Sequence, residues 1–489
     1  MGYIEGVDRH QEMLFPPALD DFVSESNPVR VIDAFVEGLD VQALGFARAV
    51  PASEGRPGYD PRALLKLYIY GYMNRTRSSR KLEAETHRNV EVMWLMRMLK
   101  PDHKTIAVFR KQHLRALKQV TREFLLICRE LQLLDGTLAL IDGSKMRAVN
   151  NRDRNYTAAR LKTQMRRLEA SVALYLKEMD QADRSEQDTA GPTDPDLPRK
   201  LERLQARMEE LRQIQDQISD SGDQVSFTDP ESRRMKVRGD MDVCYNAQIA
   251  VDPKHHLIVA HDVTNEVTDI EQLAPMALAA KAALGTEELE VAADRGYHNG
   301  SHVAICEANG ITPYVPETQS SKNAQIGLFT KERFRYEEAC DAYRCPAGQW
   351  LSRSTQHTTK GGRVLGYYTN PQACEGCSLR RQCTTSKGGR RIMRTPEEAQ
   401  VAAMRRRVAE RRELMVQRKS TVEHPFGTMK RAMDAGYFLL KGLEGVGGEF
   451  SLSVLAYNFK RVINLLGVKC LLQALEARNE AGNRALRPA

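Results

Sequence analysis

Apolar side chains in the first 130 residues recur at the three-to-four-residue spacing of one helix face. In "YDPRALLKLYIYGYM" (59–73) Asp60 is a good N-cap, Pro61 suits an early helical position, and apolar residues follow in helical register. "RKLEAETHRNVEVMWLMRML" and "DHKTIAVFRKQHLRALKQVTREFLLICREL" continue the pattern, with Asp102 or Thr105 as the cap. Short helices with basic faces fit a helix-turn-helix-like module, and a plain bundle fits them nearly as well. At "TLALIDGSKMRA" (137–148) the period changes. An apolar run ending at Asp142-Gly143 reads as a buried strand with an acid at its end.

Two heptad-like stretches come next. Leu161, Met165, Leu168, Val172, Tyr175 and Met179 mark the first; Leu201, Leu204, Met208, Leu211 and Ile218 mark the second. The Pro-, Gly- and Asp-rich stretch 183–200 separates them, so a protruding antiparallel helical hairpin is expected. Beyond it, "CYNAQIAVD" and "HLIVAHDVTNE" read as two strands of a hairpin, 269–284 as a helix and "LEVAADRGY" as a strand ending at Asp294. A short helix (299–308) and the strand "ITPYVP" complete the series. This order predicts a mixed α/β sheet with helices packed on it. Residues 319–395 are polar, rich in Gly and Cys, and nearly aperiodic. An arginine-rich helix and the apolar helix "GGEFSLSVLAYNFKRVINLL" (447–466) follow, the latter expected on the sheet. The expected division is a helical domain (1–130), an α/β domain from 131–158, 225–318 and 396–470, the hairpin (159–224), the Cys-rich insertion (319–395) and a disordered tail (471–489).

The chain has 489 residues, long enough for two to four structural units. It has neither a signal-like N-terminus nor an apolar run long enough to span a bilayer, so a cytoplasmic protein is expected. The 72 Lys+Arg against 64 Asp+Glu leave a net charge of +8, which says little by itself. Its clustering in "YMNRTRSSRK" (72–81) and "MRRRVAERRELMVQRK" (404–419) can attract phosphate, or can be solvated helix face. Of nine cysteines, Cys340, Cys345, Cys374, Cys377 and Cys383 crowd one stretch. Cys374-Glu375-Gly376-Cys377 makes a chelating turn, and Cys383 with Cys345 completes a four-thiolate set suited to structural Zn²⁺; Cys340 is a spare, and reduced free thiols are the alternative.

Acids at the ends of apolar strands are unusual, because ligands of open α/β sheets bind at the carboxyl ends of strands. Asp142 and Asp294 can therefore converge, and Glu423 in "KSTVEHPFGTMKR" (419–431) offers a third carboxylate. Oxygen donors of this kind suit Mg²⁺, and two such ions can serve phosphodiester displacement. Each acid also has a plainer reading: a turn residue before Gly143, a partner of Arg295, an ion pair with Lys419 or Lys430. Pro425 is tolerated in a first helical turn, so Ser420 or Thr421 is expected to cap a new helix there, a kink in one continuous helix being the alternative. Walker A, H-E-x-x-H and Gly-x-Ser-x-Gly patterns are missing, and nothing separates Tyr156, Tyr245 or Tyr297 from packing aromatics.

Taken in order, "YDPRALLKLYIYGYMNRTRSSRKLE", "DHKTIAVFRKQH", "LIDGS", "YNAQIAVD", "AADRGY" and "STVEHPFGTMKR" resemble a bacterial insertion-sequence DDE transposase with an InsH-like N-terminal domain, over about residues 15–465. The resemblance implies an RNase H-like core with Asp142, Asp294 and Glu423 as catalytic triad, holding two Mg²⁺ or Mn²⁺ ions. Many relatives have Tyr, Arg, Glu and Lys where this chain has Val416, Lys419, Glu423 and Lys430; Arg418 stands beside the altered arginine position. It further implies DNA contacts by Arg418, Lys419, Lys430 and Arg431, binding of terminal inverted repeats and target DNA, and a homodimer or higher oligomer on DNA. The rival readings are a catalytically retired DNA-binding regulator and an RNase H-like nuclease without strand transfer.

Overall fold

A computed structural model describes residues 18–51, 54, 57–150, 155–185, 197–221, 224–237, 239–317, 322–358 and 364–485. Its centre is a mixed sheet around β1 (Leu138–Arg147). On one side β5 (Asp240–Asp252) runs antiparallel to β1, and β4 (Arg233–Val237) and β6 (Leu257–Thr264) share its outer edge. On the other side β7 (Leu289–Ala292) and β8 (Ile311–Tyr314) run parallel to β1. The α/β class read from the chain is thus the class observed, and the strands fall where the apolar runs place them.

Alternation along β1 divides the core. Ala139 and Ile141 pack beneath α9 (Leu273–Leu284) and near α10 (Gly300–Ala308), whereas Leu140 and Met146 face α15 (Arg412–Gly427) and α16 (Leu443–Leu466). The second face also receives the N-terminal helices: α1 (Pro28–Glu37), α2 (Pro61–Met73), α3 (Ser79–Arg88), α4 (Val90–Leu95), α5 (His103–Gln112) and α6 (Leu114–Glu130). Phe35, Phe124 and Phe459 meet there with ring centroids 4.1 to 5.4 Å apart. Asp60 and Asp102 cap α2 and α5 as their positions predict. Between the N-terminal helices and α16, Arg77 and Glu449 form a fully buried ion pair at 3.3 Å.

The inserted hairpin consists of α7 (Ala158–Ser185) and α8 (Leu197–Ser221), seamed by Leu161, Met165 and Leu168 against Leu211, Ile214 and Ile218. Paired β2 (Asn155–Thr157) and β3 (Gln224–Ser226) close its base. Most of the predicted linker (186–196) and the side chains of Tyr175, Met179 and Leu201 lie outside the described residues.

Four expectations need correction. Residues 319–395 are not merely irregular: β9 (Arg335–Glu337), β10 (Ala342–Arg344), β11 (Trp350–Thr358), β12 (Val364–Thr369) and β13 (Arg391–Arg394) form an antiparallel sheet, accompanied by α11 (Lys322–Gln325), α12 (Pro371–Glu375) and α13 (Arg380–Cys383). Its strands bury at most two residues each, among them Tyr343, Leu351, Tyr368 and Ile392, too few to leave a period in the sequence. The tail is not disordered through 485, because α17 (Val468–Ala485) buries Leu471 and Leu475 and Asn479 donates to the Ala34 carbonyl at 3.0 Å; only 486–489 lie outside the description. The arginine-rich stretch is two helices, α14 (Glu398–Glu410) and α15, broken at Arg411, where φ is −118° and ψ 56°. Finally, no helix begins at Ser420 or Thr421. Pro425 lies inside α15, Ser420 Oγ bonds back to the Gln417 carbonyl, and the ladder loosens just beyond into a π-turn at Thr428–Ala432.

Candidate active site

The parallel register brings the two aspartates together, although Asp142 does not end its strand as expected: pairing with β5 carries β1 on to Arg147, and only the parallel ladder with β7 stops before Asp142. Leu140 of β1 lies opposite Ala292 of β7, and Asp142 and Asp294 each follow two residues later, at the same end of the sheet. Asp294 also caps the short turn Arg295–Tyr297 through Gly296 N–H at 2.7 Å. Asp142 is only 23% exposed and faces α15, where the Arg418 guanidinium lies 3.3 Å from its carboxylate and also donates to the Ile141 carbonyl. Burial pushes the Asp142 carboxyl up to about 6; Arg418 opposes this and the Asp294 charge adds to it. Burial disfavours the ionised form of Asp142 more than the Arg418 guanidinium favours it.

α15 and the π-turn that continues it lie along β1 between two contacts. At one end is Arg418 on Asp142. At the other, Lys430 Nζ donates to Ser144 Oγ at 2.5 Å and to the Lys145 carbonyl at 3.0 Å. Glu423 sits between them on the exposed edge, beside the buried Val422 and Phe426, and makes no ion pair with a described residue. Among the described residues no three His, Cys, Asp or Glu side chains are grouped so as to hold a metal ion, so the three acids do not form one cluster as they stand. Lys419 and Arg431 are exposed, while Arg418 and Lys430 are bound to β1.

The arginine-rich stretch is largely engaged with the sheet. Arg405 pairs with Glu317 at 2.6 Å, Arg407 with Glu307 at 2.7 Å, and Arg411 contacts both oxygens of Glu290 at 2.7 and 2.8 Å. Arg77 is buried against Glu449 and stacked 4.4 Å above the Tyr437 ring, while Arg75, Arg80 and Lys81 of the first basic cluster are exposed, Arg75 donating to the Ala432 carbonyl. These arginines are ties between elements, a use that charge counting does not separate from phosphate binding.

One acid escaped the sequence reading. Asp269, in the loop before α9, accepts at Oδ1 from Asn246 (2.6 Å), Gln248 (2.8 Å) and Lys145 (3.3 Å). Tyr297 OH in turn donates to Gln248 Oε1, and burial together with the charges of Asp269, Asp142 and Asp294 raises its pKa strongly. Of the other tyrosines, Tyr245 donates to Asp229 and Tyr156 accepts from Arg207, both away from the acids. No motif marks Asp269; its only signal is an acid in a polar loop between a strand and a helix.

Cys345, Cys374, Cys377 and Cys383 line one cavity of about 30 Å³ under the small sheet. Burial raises the Cys383 thiol's pKa; Arg390 opposes this and the other three sulfurs add to it. The Gln349 amide donates to Cys345 Sγ at 3.3 Å, and Gly389, at φ +83°, clears Cys374, whose Sγ would lie 3.0 Å from an added Cβ. Cys340 stands apart, exposed, with its thiol on the Glu337 carbonyl.

Comparison with known proteins finds two family models. Residues 17–112 match one described as "Transposase domain (DUF772)", and residues 344–463 match one described as "Transposase DDE domain". The second match includes Cys345, Cys374, Cys377, Cys383 and Glu423 but neither aspartate. No curated protein matches the chain. A solved structure, the cryo-EM structure of the piggyBac transposase synaptic complex with hairpin DNA, aligns over 95% of this chain and 83% of its own, at 8% identity and a TM-score of 0.31.

Proposed function

Because this chain belongs to the DDE transposases of insertion sequences, we propose that it binds the terminal inverted repeats of a bacterial element, cleaves them, and joins the freed 3′-hydroxyl to target DNA. The observation that carries the reading is the pairing of Asp142 and Asp294 at one sheet end, with a cation already on Asp142. The sheet around them is read as an RNase H-like core.

The family uses divalent metal, and the residues present suit Mg²⁺ or Mn²⁺. Asp142 and Asp294 supply oxygen donors, and burial together with the Asp294 charge raises the Asp142 pKa against the pull of Arg418. Two bound ions would activate the attacking oxygen and stabilise the leaving one. Asp142 and Asp294 would hold them and Glu423 would complete the set, α15 being held over this end of the sheet by Arg418 and Lys430. Arg418 would yield Asp142 and turn to phosphate. Lys430, anchored two residues from Asp142, would orient the strand next to the scissile bond. Lys419 and Arg431 would hold the DNA backbone, with Arg80 and Lys81 of α3 contributing from the N-terminal helices. Two ends cut together need two such sites, hence a dimer or larger assembly on DNA. Among the described residues no helix is long and apolar enough to cross a membrane; a cytoplasmic, nucleoid-associated place follows from the DNA role proposed.

The four cysteines around one cavity are read as a structural zinc site, drawn together on binding, because the small sheet's own core is slight. Arg380 and Arg390, which hold the carbonyls of Cys374 and Cys383, would offset the thiolate charge.

The deciding assay offers end-sequence duplex and Mg²⁺ to the wild type and to Glu423→Gln. Joined products that vanish in the variant support the reading; cleavage without joining favours the nuclease alternative; full activity in Glu423→Gln removes that residue from the triad.

A further inference from the structure

The buried polar network beneath the aspartate pair is more than the fold requires. Asn246 and Gln248 are fully buried on β5, where alternating apolar residues would serve the sheet, and both direct their amides to a single oxygen, Asp269 Oδ1. The second oxygen, Oδ2, accepts no hydrogen bond from a described residue and lies 3.8 Å from where a Cβ on Gly296 would stand; Asp294 Oδ1 lies 2.9 Å from that same point. From Asp269 the bonds continue through Gln248 to the hydroxyl of Tyr297, three residues beyond Asp294 in the same turn. Gln248 is also the register partner of Gly143, next to Asp142. Gly143 has no room for a side chain, since a Cβ would lie 2.4 Å from Gln248 Nε2, 2.8 Å from Asp269 Oδ1 and 3.0 Å from Tyr297 OH. The network therefore fills the space between the strand that carries one aspartate and the turn that carries the other.

We propose that Asp269 is a positioning residue of the reaction centre: acting through Gln248 and Tyr297, it fixes the Asp294 turn against β1 and so sets the spacing of Asp142 and Asp294. This rests on the reading of those two aspartates as the metal-binding pair. Partners that orient ligands from behind a metal site change affinity by about 10–100-fold when removed, and this network is placed to do the same.

The test measures Mn²⁺ binding to the full-length, metal-free protein by electron paramagnetic resonance of free Mn²⁺, without DNA. The wild type is compared with Asp142→Asn, Asp269→Asn and Tyr297→Phe, and folding is checked by thermal melting. Asp142→Asn is expected to abolish the tight binding. Asp269→Asn and Tyr297→Phe are each expected to weaken it by about 10–100-fold while the melting transition stays cooperative. Tyr297→Phe alters no charge and removes only the link, so it decides the case even if Asp269→Asn fails to fold. Loss of binding in Asp142→Asn with wild-type affinity in Tyr297→Phe overturns the proposal alone. Unchanged binding in Asp142→Asn overturns the metal-site reading and this proposal with it.

Discussion

Replacing Asp142 by Asn should make the metal-free protein more stable at neutral pH, although it removes a residue assigned to the reaction. The Asp142 carboxyl is pushed from its ordinary 3.8 to about 6, by burial first and by Asp294 in addition, against the pull of Arg418. A group held above its unfolded value favours the fold when protonated and burdens it when ionised. At about 1.4 kcal/mol for each tenfold change in proton affinity, the burden at pH 8 is about 3 kcal/mol. It falls to about half that at pH 5 and nearly vanishes below about pH 3, where the folded and unfolded carboxyls are both largely protonated. Asn keeps the shape and carries no charge, so Asp142→Asn should raise stability by an amount approaching this figure at pH 8 and by clearly less at pH 5. Urea unfolding in EDTA at the two pH values measures it. Adding Mn²⁺ should then reverse the order, stabilising the wild type by mass action and leaving the variant unchanged. Equal gains at pH 5 and pH 8, or a loss at pH 8, would refute the reasoning, since either would mean that Asp142 is not ionised at a cost in the fold.

Other outcomes follow from the same geometry. Arg77→Ala strands the buried Glu449 carboxylate and should cost about 3–5 kcal/mol in chemical denaturation. Glu423→Gln, at an exposed site without an ion-pair partner among the described residues, should change stability by no more than about 0.5 kcal/mol while abolishing strand joining, which separates a chemical role from a structural one. Gly143→Ala drives a Cβ into Gln248, Asp269 and Tyr297 and should destabilise by about 1–3 kcal/mol, seen as a lower midpoint in urea. Protein purified without chelator should carry one zinc per chain by elemental analysis. Cys374→Ser with Cys377→Ser should lose it and expose residues 335–394 to proteolysis, and a zinc-free wild type with all four thiols freely reactive would remove that site.

Local physics wrote much of this molecule into its sequence. Asp60-Pro61 announces the start of α2, the apolar run before Asp142 announces β1, and the equal placement of Asp142 and Asp294 after two apolar runs foretells that they meet, because parallel pairing aligns those runs; that β1 continues past Asp142 to Arg147 comes from its pairing with β5. Other features have no local signature. Arg405, Arg407 and Arg411 look like a phosphate-binding row until their distant partners Glu317, Glu307 and Glu290 are seen. Pro425 signals a helix start, but burial of Val422, Phe426 and Met429 on the sheet holds α15 continuous through it, and tertiary packing outweighs the local penalty.

What the sequence determined by itself was the order of elements, the class of the sheet and the acids that follow its apolar runs, all consequences of period and of residue type at a boundary. What only the tertiary structure decided was which charges are engaged and with whom. Arg418 lies on Asp142, Glu423 stands apart on the edge of α15, and Asp269 gathers Lys145, Asn246 and Gln248 beneath the pair. Those assignments depend on contacts between separate elements of the fold, which no spacing along the chain can encode.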